Sequence, residues 1–523
     1  MSAARDFDVI VIGAGHNGLA AAATLARKGR RVCVLERSDQ LGGMAGNFSP
    51  AKGVTAPRMA HLLYNLNPVV ARELGLGERV PLKTLALPSV ALSPDGNHVV
   101  VEAGKARFAD GRAHPDAAAF AALHDRLTRF AGLLAQMSEN PPPGLQGSLL
   151  DPAKLGELIR LARLGLGMKR LGKVEMREFL RILMSNAHDL VLDEMGDGPL
   201  AGLLAADAVR GAFAGPRSPG TVFTLMYRMG NGGNVALPMG GMGTVAEAFA
   251  SAARAVGCDI RLGNGVAGIE VADDRAVGVL LDDGTRLSAG AILSSAGPMP
   301  TLKLTGIRHF DTEAVHRLRH HRCKGSVAKI NLVLSGAPAI PGLPVDMNRG
   351  RLVIAPSVEY VERAFNPAKY GEMPTAPSIE LLLPGLSDPS LASDGRQVAS
   401  AIVNFVPPAP DGGWTKARRN ALLKTVLGVL EQYAPGLSGL VTQSETLAPP
   451  DIEALTGAPG GHWHHGEMGF DQVLTNRPAN GMARYRFGVG GLYLCGAAAH
   501  PGGDVTGAPG RNAALQLLRD GVL

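Results

Sequence analysis

Three glycines and one carboxylate near the amino terminus are the first residues whose types and spacing amount to chemistry. Gly13, Gly15 and Gly18 read G-x-G-x-x-G inside DVIVIGAGHNGLAAAATLARKGRRVCVLE, the stretch from Asp8 to Glu36, and Glu36 follows them by about twenty residues. Each glycine has its own task. Gly13 permits a tight turn, Gly15 lets backbone approach a pyrophosphate, and Gly18 lets a helix pack close on a strand. Glu36 is placed to accept hydrogen bonds from ribose hydroxyls and would repel a 2′-phosphate, which leaves FAD or NAD as the dinucleotide. A second pair, Gly42-Gly43, stands just past the acid, flanked by Arg37 and Met44. An NAD domain has no need of that pair. In a flavin protein this loop returns over the pyrophosphate and offers it backbone N–H groups, so FAD is the expected cofactor.

These residues need a parallel sheet to hold them. Val9 to Ile12 and Val32 to Leu35 are short, β-branched apolar runs of the kind buried on both faces, and an Ala/Leu-rich helix between them runs to Lys28. The N-terminus of that helix supplies free N–H groups and a positive dipole end for phosphate. The remainder of the chain alternates in character. Ala117 to Met137 has helical apolar spacing, Asn140 to Gly144 is Pro-rich, and Pro152 to Gly172 sets Leu and Ile against Lys154, Arg160, Arg163, Lys169 and Arg170. Helices are also expected at Met176 to Leu192, Leu200 to Ala212, Val245 to Val256 and Thr415 to Tyr433. Strands are expected at Asp259 to Leu262, Val327 to Leu334, Ser378 to Leu383 and Gln397 to Val406, with a β-meander over Val266 to Leu281.

The carboxyl-terminal segment holds the second concentration of chemistry. Gly491 to Gly496 reads as a strand ending in glycine, followed by Ala497-Ala498-Ala499-His500-Pro501-Gly502-Gly503-Asp504-Val505-Thr506-Gly507 and a helix expected from Ala513 to Gly521. With GAGHNGLAAAATLARKG, VCVLE and LGGMAG at the other end, this H-P-G-G-x-x-x-G pattern resembles the phytoene desaturase-type FAD oxidoreductases. That family includes carotenoid desaturases, isomerases and ketolases, and retinol saturases. The nearest branch is the bacterial relatives of pyridine nucleotide-disulphide oxidoreductase domain-containing protein 2.

The resemblance runs the whole length, with motifs dense at both ends and near residues 235–300. It implies an α/β fold: a Rossmann-like FAD-binding domain of the GR2 flavoprotein type, with an inserted α+β substrate domain. Residues 1–80, 215–300 and 461–523 would form the discontinuous FAD-binding domain, and 81–214 with 301–460 the substrate domain. It further implies that the backbone of Val266 meets the adenine, and that Gly496, Asp504 and Val505 lie at the flavin. The start of the last helix would then aim N–H groups at the N1–C2=O side of the ring, and Gly502, Gly503 and Gly507 would let backbone lie against it. The family often has an acid directly after the strand-ending glycine; Ala497 holds that place here, and Asp504 is expected to act as an N-cap or to bond ribityl hydroxyls.

The flavin carries the redox step, so no catalytic triad is required and none appears. Polar candidates near the ring are Arg58, His61, the run His462-Trp463-His464-His465-Gly466-Glu467, and His500. From these, His465, Glu467 and His500 are the catalytic candidates, His465 or Glu467 by handing over a proton. Lys329 lies on an expected strand and receives no role. His316, His320, His321 and Cys323 invite a metal, but the surrounding Arg317, Arg319, Arg322 and Lys324 would repel one, so no metal site is expected.

Composition excludes other classes. A net charge of +6 over 523 residues, 4% aromatic content and no basic tract interleaved with aromatics leave no case for nucleic acid. Cys33, Cys258, Cys323 and Cys495 are scattered, with no redox pair, which suits a reducing compartment. The first residues run straight into a strand, and no apolar run reaches the roughly 18 residues of a membrane span. The expected protein is cytoplasmic and takes an apolar, isoprenoid or lipid-like small molecule. Residues 152–172 would face a membrane peripherally or line the substrate entrance. An NAD(P)H-dependent reductase or carotenoid ketolase, and a flavoprotein with a mainly structural or interaction role, are the alternatives.

Overall fold

The computed structural model describes residues 5–142 and 155–523. Phe7–Ile12 and Val32–Leu35 pair in parallel, Val9 against Val32 and Ile12 against Leu35, with Val9, Ile10, Val11, Cys33 and Val34 fully enclosed. They belong to a seven-stranded sheet. From one edge it runs Asp259–Arg261, Val32–Leu35, Phe7–Ile12, Arg286–Ser294, Arg275–Leu281 and Val266–Ala272, and Leu492–Leu494 also pairs with Arg286–Ser294. Arg286–Ser294 changes partner along its length. Its first residues close the antiparallel meander, and Ile292 to Ser294 run parallel to the carboxyl-terminal strand.

The helix between the first two strands, His16–Ala26, is made of small residues for a geometric reason. It packs against both Met242–Ala255 and the last helix, Ala508–Arg519. A Cβ on Gly510 would lie 1.9 Å from the carbonyl oxygen of Asn17, so only glycine allows that approach. These contacts tie both chain ends and the middle into one Rossmann-like layer.

The second domain is an eight-stranded sheet covered by helices. Its order is Val441–Leu447, Val327–Leu334, Gln397–Asn404, Ile379–Leu382, Arg351–Ile354, Ser89–Leu92, Val99–Glu102 and Lys105–Phe108. All pairs are antiparallel except Arg351–Ile354 with Ser89–Leu92. Side chains alternate between two unlike faces. Ala328, Ile330, Leu332, Leu352, Ile354, Ile379, Leu381, Ala401 and Val403 share an apolar core with Leu422, Val426, Val429 and Leu430 of the helix Lys416–Tyr433. The opposite face carries Lys329, Arg351, Glu380 and Ser400, all buried.

Several expected elements are adjusted. Met176 to Leu192 is two helices, Gly172–Met184 and Ala187–Glu194, because the Asn186 side chain accepts the Asp189 N–H and caps a new start. The last helix begins at Ala508 rather than Ala513. Pro509 suits its first turn, and Thr506 Oγ1 accepts the Ala508 N–H. Thr221–Arg228, inside the 215–300 stretch, packs with Ala117–Ser138, Gly172–Met184 and Pro199–Val209 around the second domain's helical core. The basic stretch forms a helix at Leu155–Arg170 that exposes Ile159, Leu161 and Leu166. Residues 143–144 of the Pro-rich break and 152–154 of that stretch lie outside the described residues. No helix among the described residues is long and apolar enough to cross a membrane.

Candidate functional site

One cavity of about 600 Å³ runs between the two domains, and the expected dinucleotide residues line it. Gly13 sits at φ +97 at the end of the first strand, where its N–H donates to the Leu35 carbonyl. A Cβ on Gly18 would stand 2.0 Å from the Gly13 carbonyl oxygen, so this glycine is required by the turn packing on its own helix. Gly15 differs: a Cβ there would meet nothing within 4 Å and would project into open cavity. Gly42 donates to the Ala14 carbonyl at 3.0 Å and bridges to Gly15, and a Cβ on Gly43 would meet only the Gly15 Cα. The second glycine loop is thus folded back over the first, leaving a backbone cradle that side chains would fill. The helix His16–Ala26 opens onto it with no side-chain cap and no acid in its first turn, as an anion-binding terminus requires.

Glu36 is held by two backbone donors, Ala14 N–H at 2.8 Å and Ser38 N–H at 3.0 Å, one to each carboxylate oxygen. Each oxygen keeps a lone pair for a ribose hydroxyl. Arg37, Val266 and Met44 line the same cavity, as do Gly496, Asp504 and Val505. These residues fit an FAD laid along the cleft, which would take its pyrophosphate from the glycine loops and its ribose contacts from Glu36.

The closing segment works differently from expectation. Gly502, Gly503 and Gly507 make room for protein side chains rather than for a ring: Cβ atoms there would strike Met468, His464 and Phe249 respectively. None of the three lines the cavity. The last helix likewise presents Asp504 and Val505, which precede it, while its first N–H is taken by Thr506. Asp504 is not an N-cap; it sits at φ +65, accepts from Asn65 Nδ2 at 2.8 Å, and donates its N–H to His464 Nδ1.

Among the three catalytic candidates, the structure brings only His465 to the cavity. Its φ of +53 is unusual for a side-chain-bearing residue, and its Nδ1 is enclosed without a partner. Burial and the nearby Arg477 charge push its pKa down to about 4, so the ring is neutral. Glu467 turns away and pairs with Arg322 at 2.9 Å. His500 is buried elsewhere, its Nε2 bonded to the Met137 carbonyl, because the chain after Gly496 folds back toward Ala117–Ser138. Arg58 lines the cavity and donates to Gln40 Oε1; His61 lies behind the wall. Arg477, which the sequence did not single out, is fully enclosed and donates to the carbonyls of His464, Glu467 and Ala497, fixing the loop that carries His464 and His465. His321 turns inward onto the His465 carbonyl, whereas the His316 and His320 rings meet at a tilt on the surface.

The inner end of the cavity draws on remote stretches of the chain, with Arg210 and Ile402 from the second domain. Met59, Leu62, Tyr64, Arg210, Ile402, Trp463 and His464 close it. Behind them lies a buried charged network. Glu380 accepts from Arg210, Arg351, His61 and Tyr64, and Asp207 pairs with Arg228 and Arg351. These guanidinium groups hold both carboxyls below the usual range against the opposing effect of burial. A local signal existed: Asp207 interrupts an otherwise apolar helix and Arg210 follows it directly, while Arg351 opens one apolar strand and Glu380 interrupts another.

A family model described as flavin containing amine oxidoreductase matches residues 18–517. Pyridine nucleotide-disulfide oxidoreductase domain-containing protein 2 of Mus musculus is 32% identical over 98% of this chain and 94% of its own length. Phytoene desaturase (neurosporene-forming) of Rhodobacter capsulatus is 25% identical over 95% of this chain and 90% of its own. The crystal structure of an oxidoreductase from Methanosarcina mazei shares the fold with a TM-score of 0.58 at 18% identity, covering 98% of this chain and 99% of that one.

Proposed function

The chain belongs to the flavin-containing amine oxidoreductases and is an FAD-dependent oxidoreductase, and from that premise we propose that it exchanges hydride with a carbon atom of a lipid-like substrate held at the inner end of the cavity. The observation that carries this reading is the continuity of one cavity from the glycine cradle to an end wall of Met59, Leu62, Ile402, Tyr64 and Trp463. The bound FAD supplies the hydride acceptor or donor. Met59, Leu62 and Ile402 offer an apolar substrate body a surface that excludes water, and Trp463 provides a flat wall. His465, neutral and lining the cavity, is the group proposed to take a proton from the carbon next to the one that loses hydride, or to return it in the reverse direction. The phytoene desaturase among the relatives supports a substrate of this apolar kind. Peripheral contact with a membrane through Leu155–Arg170 belongs to the same proposal, since Ile159, Leu161 and Leu166 expose apolar surface beside Lys169 and Arg170.

The test is anaerobic bleaching of the visible flavin band by a panel of isoprenoid alcohols, isoprenoid acids and fatty acids, with NADPH as a separate arm. Bleaching by members of the lipid panel is the expected result. Bleaching by NADPH alone would overturn it in favour of a nicotinamide-dependent reductase. A flavin that nothing in the panel reduces, but whose removal unfolds the protein, would overturn it in favour of a structural role.

A further inference from the structure

The charges around the inner wall do not balance. Arg210 follows the helix Pro199–Val209 and is about nine-tenths buried, yet it lines the cavity. Its guanidinium lies between the rings of Tyr64 and Trp463, with centroids 4.8 Å and 4.7 Å away. Nε and Nη2 donate to Glu380, while Nη1 has no hydrogen-bond partner among the described residues and is not among the enclosed polar atoms. Counting the network outward, Arg210, Arg228 and Arg351 face only Asp207 and Glu380. His61 is neutral, and Lys329 donates to Ser400 behind it. Glu445, the remaining nearby carboxyl, faces Asn331 and has Arg58 and Lys329 for neighbours, so it does not supply the missing charge.

A buried positive charge with a free N–H edge, aimed into a cavity, is a site for an anion. We propose that the substrate carries a carboxylate, which pairs with Nη1 of Arg210 at the inner end of the cavity. This rests on the reading of that end as the substrate pocket and names the class of molecule it takes: an acid with an apolar body. The excess charge is positive, which matches an anion, and the planar guanidinium matches a planar carboxylate. An alkylammonium is disfavoured for the complementary reason. The aromatic pair that would cradle a cation already holds Arg210, and a second cation beside it would be repelled.

The experiment is an anaerobic titration of the holoenzyme with decanoate, decan-1-ol and decylamine, read from the perturbation of the visible flavin band rather than from turnover. Decanoate should bind at least about tenfold more tightly than decan-1-ol, and decylamine most weakly. Arg210→Gln should keep its FAD, because Arg210 lies outside the glycine cradle, and should bind acid and alcohol alike. If acid and alcohol bind equally to the unaltered enzyme, or the amine binds best, the carboxylate is wrong while the pocket stands. If none of the three perturbs the flavin, the pocket reading falls and takes the carboxylate with it. Retained acid preference in Arg210→Gln would also overturn the proposal, and if that variant fails to fold, the ranking on the unaltered protein decides alone.

Discussion

The two ends of the cavity are built from different materials. The nucleotide end is made of backbone: Gly13, Gly15, Gly18, Gly42 and Gly43, with the single carboxylate of Glu36, all from one short stretch of chain. The inner end is made of side chains from remote stretches, with Tyr64, Arg210, Ile402 and Trp463 meeting only after two sheets and their helices have packed. A backbone cradle fails when atoms are added to it. A charged side-chain wall fails when one partner is removed, because the others are left buried without a counter-charge.

That difference can be broken from either side. The largest effect is expected for Gly18→Ala. Its Cβ would sit 2.0 Å from the Gly13 carbonyl oxygen, inside the turn that shapes the phosphate site, and the helix has little room to retreat because Gly510 packs on Asn17 so closely that a Cβ there would lie 1.9 Å from its carbonyl oxygen. The purified variant should carry no FAD, checked by the ratio of visible to ultraviolet absorbance after gel filtration. Full flavin content would show that the turn tolerates displacement and is not the rigid part supposed here. Next comes Glu380→Gln. It leaves Arg210 and Arg351 without their shared carboxylate in a site only 2% exposed, and the expected cost is about 3–5 kcal/mol of stability. FAD content should be unchanged under conditions where the variant is folded. Urea unfolding monitored by circular dichroism would measure it, and a loss under about 1 kcal/mol would mean that the network is loosely held.

The same contrast explains what could be read before the structure was known. The glycine fingerprint, the second glycine pair and Glu36 act through local backbone geometry, so their spacing alone located them. Alternation and apolar runs likewise located most strands of the first sheet, because burial on both faces leaves a continuous apolar run, but only three of the eight in the second: Val327–Leu334, Ile379–Leu382 and Gln397–Asn404. What spacing does not carry is which glycine faces a ligand and which faces a neighbour. Gly502, Gly503 and Gly507 share a motif with cavity-lining Asp504 and Val505, yet they accommodate Met468, His464 and Phe249 from distant segments. His500 and Glu467 were misplaced for the same reason: their ring and carboxylate directions are set by Met137 and Arg322, far off in sequence. Arg210 carries a readable sign, a charge directly after an apolar helix, but its partner Glu380 lies on a strand of the second sheet and only the assembled fold pairs them.

The smallest expected effect probes Lys329, on the charged face of the second sheet. Its ammonium is fully enclosed beside Ser400 and His61, and its pKa is pushed down to about 7, first by burial, with Glu380 opposing and Arg210 reinforcing. In the unfolded chain the group titrates near 10.4, as lysines ordinarily do. Between about pH 7 and 10.4 the unfolded state therefore binds more protons than the folded state, and stability rises with pH across that window by up to about 1.4 kcal/mol per pH unit from this group. Below pH 7 both states are protonated and the contribution levels off at its least favourable value. In Lys329→Met that slope is absent, so the difference between the unaltered protein and the variant, measured by urea unfolding at pH 7, 8 and 9, should shift steadily in favour of the unaltered protein as pH rises. Parallel profiles would mean that Lys329 keeps its charge in the folded protein, and the positive excess facing the cavity would then be larger than the three guanidinium groups alone provide.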